Sequence, residues 1–176
     1  MKLFIISDVH GSKHYLDLAI KAFHKSTADK LVCLGDFYYH GPRNPLTEGY
    51  NPMEVASIFN SLGDKLIAIK GNCDAEVDQM ISTFTFIKNY SLKVGNKNVY
   101  FHHGHNDIAE IDKYDIIFFG HIHQGLIEKE GKHIYANPGS ISLPKKELSR
   151  GYMILDESGI KHYDLITNEL LREINF

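Results

Sequence analysis

The chain has 176 residues, 43% hydrophobic and 23% charged, which suits about one globular domain with a sizeable core and excludes a disordered or fibrous chain. Nineteen basic and 22 acidic residues leave a formal charge of -3, so no whole-chain basic field exists for gripping nucleic acid. No apolar run approaches the roughly 18 residues that would span a bilayer.

Residues 1–176 are read as a single domain. Met1–Ile6 is apolar but soon broken by Asp8 and His10, and it lacks a basic stretch or a small-residue cleavage site, so it does not read as a signal peptide. Cys33 and Cys73 are too few for a disulfide framework, and a reducing cytoplasm is the expected compartment. The unusual feature of the composition is its 11 histidines.

The first predicted element is a strand over Lys2–Ser7, whose apolar run lacks alternation, as in a strand covered on both faces. Ser12 caps a predicted helix with Leu16, Ala19, Ile20 and Phe23 in one stripe. A strand over Lys30–Leu34 follows, with Cys33 as a buried small hydrophobe. Asn51-Pro52 is a cap followed by proline at the first helical position; Val55, Ile58, Phe59 and Leu62 form the stripe, and Gly63 ends it. Next come a strand over Lys65–Lys70 and a shorter helix over Asp74–Ile81. The second half reads as strands over Tyr90–Val94, Asn98–His103, Asp115–Phe119, His133–Ala136, Gly151–Leu155 and Ile160–Ile166. Gly95-Asn96-Lys97 and Glu130-Gly131 are predicted hairpin turns. The order predicts an α/β fold with mixed sheets and helices outside.

Five of these strands run into metal-capable residues: Asp8-Val9-His10, Gly35-Asp36, Gly71-Asn72-Cys73-Asp74, His103-Gly104-His105 and Gly120-His121-Ile122-His123. Each fragment alone is an ordinary turn or capped helix start. Five in order at strand ends are hard to obtain from turn statistics, and ligands in α/β sheets collect beyond the carboxyl ends of strands. Asp and Asn oxygens with His nitrogens make a mixed donor set without thiolate, suited to Mn, Fe, Co or Zn. One carboxylate can bridge two metals about 3.5–4 Å apart, which would hold a hydroxide and polarise a phosphoryl group. Two divalent cations, two aspartates and a hydroxide sum to about +1, enough to attract phosphate despite the negative chain.

The motifs DVH, GDF, GNCD, HHGH and GHIH, in this order, resemble the pattern of the calcineurin-like metallophosphoesterases. HGPRN at 40–44, AEVDQM at 75–80 and NPGS at 137–140 extend the likeness toward the small bacterial YfcE-type phosphodiesterases, over nearly the whole chain. The resemblance implies a four-layer α/β/β/α sandwich of two mixed sheets flanked by helices. It implies two divalent metals, Mn²⁺ first, with Fe, Zn, Co or Ni as alternatives. Asp8, His10 and His123 would hold the first metal, Asn72, His103 and His121 the second, and Asp36 both. His103 is preferred to His102, which as its strand neighbour points to the opposite face.

The implied activity is hydrolysis of a small phosphate diester by in-line attack of the bridging hydroxide. Asp36, Asn72, Cys73, Asp74 and Arg43 are the candidate catalytic residues. Arg43 could contact phosphate or mark a surface turn. His40 could line the same loop, and His105 could support the ligands or be merely structural. Asn137–Ser140 is expected to be a tight turn under the ligand loops. His14, His24, His133 and His162 are expected at the surface or on edge strands. Where many relatives carry His, this chain has Cys73, whose thiol, with an ordinary pKa of about 8.5 against about 6.5 for His, offers less cationic help to a leaving group. A phosphomonoesterase with the same metals and a non-catalytic interaction scaffold are the alternatives; scaffold relatives typically lose ligands, and here all are present. No membrane association and no stable nucleic-acid binding are expected, and a homo-oligomer stays open.

Overall fold

A computed structural model describes residues 1–145 and 149–176. Its framework is two sheets. The first has β1 (Leu3–Ile6), β2 (Lys30–Cys33) and β3 (Leu66–Ala68) in parallel, continued by β9 (Gly151–Asp156), β10 (Gly159–Asp164) and β11 (Leu170–Asn175), in the order β11-β10-β9-β1-β2-β3. The β9–β10 and β10–β11 pairs are antiparallel, as is β1–β9. The second sheet contains β4 (Asn89–Val94), β5 (Lys97–His102), β6 (Ile116–Phe118), β7 (Gly125–Glu130) and β8 (His133–Pro138), in the order β4-β5-β6-β8-β7. Its β5, β6 and β8 are parallel, and antiparallel hairpins form both edges.

The unbroken apolar run of β1 is explained by two cores. Phe4 and Ile6 join one under the helices α1 (Lys13–Ser26) and α2 (Pro52–Ser61), with Leu16, Phe23, Leu31 and Phe59. Leu3 and Ile5 face the other way, into the inter-sheet core with Val32, Leu34, Phe101, Phe118, Met153 and Leu155. Burying each such side chain is worth about 1.5–3 kcal/mol, so the sheets are clamped face to face. The fourth layer is thin. Among the described residues no α-helix lies on the outer face of the second sheet; Tyr114, just after the 3-10 turn Ile111–Lys113, packs there 4.5 Å from Tyr100.

Both helix starts follow their predicted chemistry. Ser12 Oγ accepts from Tyr15 N, and Asn51 Oδ1 accepts from Glu54 N with Pro52 next in line. Three expectations need correction. Asp74–Ile81 is not an α-helix but a 3-10 segment, Glu76–Ile81, because the Asp74 carboxylate is committed to other backbone amides. Strand β11 has no counterpart among the predicted strands, and of β7 only the Glu130-Gly131 turn that ends it is predicted; both are sheet edges, with charged residues interrupting their apolar pattern. His162 is not superficial. Strand β10 is flanked on both sides, and the imidazole lies buried against Gly125 and Gly151, where a side chain on either glycine would collide with it. His14 and His24 are exposed as expected, whereas His133 is half-buried with Nδ1 2.8 Å from Tyr114 O. No helix among the described residues is long and apolar enough to cross a membrane.

Candidate metal centre

The carboxyl ends of β1, β2, β3, β5 and β6 lie along one rim of the sandwich, and each feeds a short loop into a common site. The loops are stitched together by backbone. Asp8 N donates to Gly35 O, His10 N to Asp36 O, and Gly120 N to His103 O, at 2.8–3.0 Å. Two glycines make the approach feasible. A Cβ on Gly71 would collide with the Asp36 carboxylate, and one on Gly120 with Ser7 Oγ. These are physical reasons for the glycines of the Gly-Asn and Gly-His pairs.

Eight described non-glycine residues have positive φ, and five of them are Asp8, His10, Asp36, His121 and His123. A left-handed conformation costs such a residue about 1–3 kcal/mol and persists where surroundings over-determine it. The surroundings here are dense. Ser140 Oγ and Ser142 Oγ both donate to Asp8 O, at 2.7 and 3.0 Å. Asn137 Nδ2 donates to Gly120 O at 2.7 Å, so the Asn137–Ser140 segment underlies these loops as expected, although Asn137 and Pro138 end strand β8 rather than forming a turn. Asp74 accepts from the amides of Asp36, Phe37 and Gly71, at 2.9, 2.7 and 2.7 Å. Both of its oxygens are thus engaged by the backbone of the loops that carry Asp36 and Asn72. Burial and the neighbouring Asp36 push its carboxyl up to about 6 against those donors.

Asp8, His10, Asp36 and His123 each offer one ligand atom, all within 4.8 Å of one another. The Nδ1 atoms of His10 and His123 lie 2.7 Å from the carbonyls of Tyr39 and Leu143. A carbonyl only accepts, so each Nδ1 carries the proton and each Nε2 presents its lone pair inward. Those two Nε2 atoms face each other at 3.1 Å. Asp8 Oδ1 is buried without a hydrogen-bond donor among the described residues, 3.2 Å from His123 Nε2. Acceptors pointed at one another in a buried space are relieved by a shared proton or a bound cation, and this buried carboxylate and imidazole set fits a divalent metal.

A second group adjoins the first. Asn72 Oδ1 is 2.9 Å from His103 Nε2 and 2.7 Å from His121 Nδ1. His103 Nδ1 is fixed by Leu34 O at 2.7 Å, which again aims Nε2 inward. Asp36 Oδ2 stands between the groups, 3.6 Å from His10 Nε2 and 3.5 Å from His103 Nε2. Burial alone would raise Asp36, but His103 and the Cys73 amide outweigh it and hold the carboxyl at about 2. Burial likewise opposes the His103 imidazolium, yet Asp36 and Asp8 lift its pKa to about 9.

The remaining candidates divide. Cys73 is half-buried beside the group; its amide donates to Asp36 Oδ1 at 2.8 Å, and burial and Asp36 push its thiol up to about 12. His105 is exposed, its ring 5.3 Å from that of His103. His40 is half-buried against Tyr39 and Tyr50, and its Nδ1 has no partner among the described residues. Arg43 is exposed on the same loop, without a hydrogen bond or ion pair to the cluster. The sequence reading missed the orienting carbonyls of Leu34, Tyr39 and Leu143, since a carbonyl has no sequence signal. It also missed Ser142, whose signal would have been its place two residues past Ser140.

The calcineurin-like phosphoesterase superfamily domain matches residues 1–159. The chain is 35% identical to the phosphodiesterase YfcE of Escherichia coli strain K12, over 99% of this chain and 97% of that one. It is 29% identical to the probable metallophosphoesterase YsnB of Bacillus subtilis, over 97% and 95%. The solved structure of the E. coli YfcE phosphoesterase superposes with a TM-score of 0.91 at 33% identity, covering 99% of both chains. A zinc complex of Vps29 from Entamoeba histolytica shares the fold, with a TM-score of 0.66 at 18% identity over 99% of both chains. With its domain match, its full-length relative and its two sheets in agreement, the chain belongs to the calcineurin-like phosphoesterase superfamily.

Proposed function

We propose that the protein is a metal-dependent phosphodiesterase with two adjacent divalent sites. Asp8, His10, Asp36 and His123 would hold one ion, and Asp36, Asn72, His103 and His121 the other, with Mn²⁺ the first candidate. The observation that carries this reading is Asp36 Oδ2, placed about equally from the Nε2 atoms of His10 and His103. Ions held there would supply a bound water of pKa near 7 as nucleophile and would polarise the phosphoryl group.

The chain's own residues then have separable tasks. The carbonyl-anchored imidazoles keep their lone pairs pointed inward without reorganisation. Asp36, an anion throughout the neutral range, offers both sites one carboxylate. Asp74 fixes the loops that present Asp36 and Asn72. In the net reaction the oxygen of water bonds to phosphorus, one P–O ester bond breaks, and the departing alkoxide or phenoxide takes a proton. Cys73, with its thiol pushed up to about 12, is a neutral neighbour of that event, which favours diesters whose alcohols leave with little help.

The test is hydrolysis of bis-p-nitrophenyl phosphate by metal-depleted protein, by the same protein after Mn²⁺ addition, and by Asp36→Asn. Activity that requires metal and falls at least about 100-fold in the variant is expected, since ligand loss removes much of the metal's effect. Absence of hydrolysis with the metal bound would overturn the reading and favour a scaffold role.

A further inference from the structure

Beside the Asn72 and His103 edge of the site lies a cavity of about 610 Å³, within the range of small-molecule pockets. None of its other walls belongs to the ligand set. Tyr100 and His102 alternate with the core residues Val99 and Phe101 along β5, so they face outward and form an aromatic wall. Lys70 and Lys88 line the same cavity, brought together because Ile69 and Ile87 bridge and Lys70 N donates to Ile87 O, and Lys88 precedes Asn89, the register partner of His102. Neither lysine is ion-paired among the described residues, whose lysine pairs involve Lys13, Lys113 and Lys132. The lining carboxylates do not neutralise them. Asp74 is buried and engaged by three amides, which leaves Asp107 as the one exposed acid in the lining.

A diester brings two organic groups to the phosphorus, and the cavity offers one of them a place beside the Asn72 and His103 edge. We infer that the cavity receives the larger arm of the diester, and that Lys70 and Lys88 select an arm bearing a ring and a second phosphate. Two unpaired lysines act on phosphate as point charges, while the half-buried His102, beside a Tyr100 ring that Tyr114 already packs against, gives a planar ring an aromatic edge to meet. This inference rests on the phosphodiesterase reading and adds the substrate class to it.

The experiment compares two p-nitrophenyl diesters of thymidine 5′-phosphate, one with and one without a 3′-phosphate, by release of p-nitrophenol. Wild type and the double variant Lys70→Ala/Lys88→Ala are run side by side, with bis-p-nitrophenyl phosphate as the reference substrate. Wild type should favour the 3′-phosphorylated ester by about tenfold in kcat/KM, as expected of two partly exposed charge contacts. The double variant should lose that preference while keeping its rate on the reference substrate. Equal kcat/KM for the two nucleotide esters in wild type, or a preference that survives in the double variant, would overturn the inference. Hydrolysis of none of the three esters would instead overturn the phosphodiesterase reading, so the two failures are distinguishable.

Discussion

Three backbone carbonyls, those of Leu34, Tyr39 and Leu143, decide which nitrogen His103, His10 and His123 turn toward the site. The ligand residue types were legible in the sequence as strand-end Asp, Asn and His, but this second tier was not, because any residue supplies a carbonyl. The strained left-handed backbone of Asp8 and His121 was equally invisible, since it is imposed by tertiary hydrogen bonds such as those from Ser140 and Ser142. Cys73 gives a prediction at this scale. Its thiol stays neutral, so Cys73→His should add a proton donor near the leaving oxygen. Across aryl methyl phosphate diesters of graded leaving-group pKa, the variant should gain about tenfold on the poorest leaving group and show a flatter dependence. An unchanged dependence would mean that Cys73 only packs.

Elements were most legible where local chemistry and burial agreed. Helix α1 is an example: Ser12 marks its start, and Leu16, Ala19 and Phe23 are buried in the stripe the periodicity predicts. Strands β7 and β11 were hidden because an edge strand keeps one face and one rim in water, which blurs the apolar pattern. His162 was misplaced for a related reason: only the pairing of β11 onto β10 turns an apparent edge into an interior strand. The α1 cap also ties the helix start to the segment preceding α2, because Ser12 Oγ donates to Glu48 O at 2.5 Å while accepting from Tyr15 N. Ser12→Ala should therefore lower stability by about 1 kcal/mol, and the melting temperature by about 2–4 °C. Calorimetry on the metal-free protein checks this; an unchanged melting temperature would show that the cap is dispensable.

At the scale of the whole molecule, the function depends on two sheets delivering their strand ends to one rim. The inter-sheet core of Leu3, Ile5, Phe101 and Phe118 sets their spacing, and the Asp36 and His103 loops come from opposite sheets. Their encounter has a pH consequence. In the metal-free protein His103 is held at about 9, above its ordinary value of about 6.5, so it keeps its proton through neutral pH. That imidazolium supports the metal-free fold fully below about pH 6.5, and the support is lost as pH rises through about 9. A metal held by His103, as proposed, would displace the same proton. Binding of Mn²⁺ at pH 7.5 should thus release protons, and apparent affinity should rise with pH up to about 9. Titration calorimetry in buffers of different ionisation enthalpy measures this, and a binding heat independent of buffer would contradict it.

The central claim, two cations sharing Asp36, is tested most directly by metal stoichiometry in wild type and Asp36→Asn, each saturated with Mn²⁺ and freed of excess. The account predicts two ions per wild-type chain and fewer in the variant, with diester hydrolysis lost in parallel. One ion per wild-type chain with full activity would contradict it.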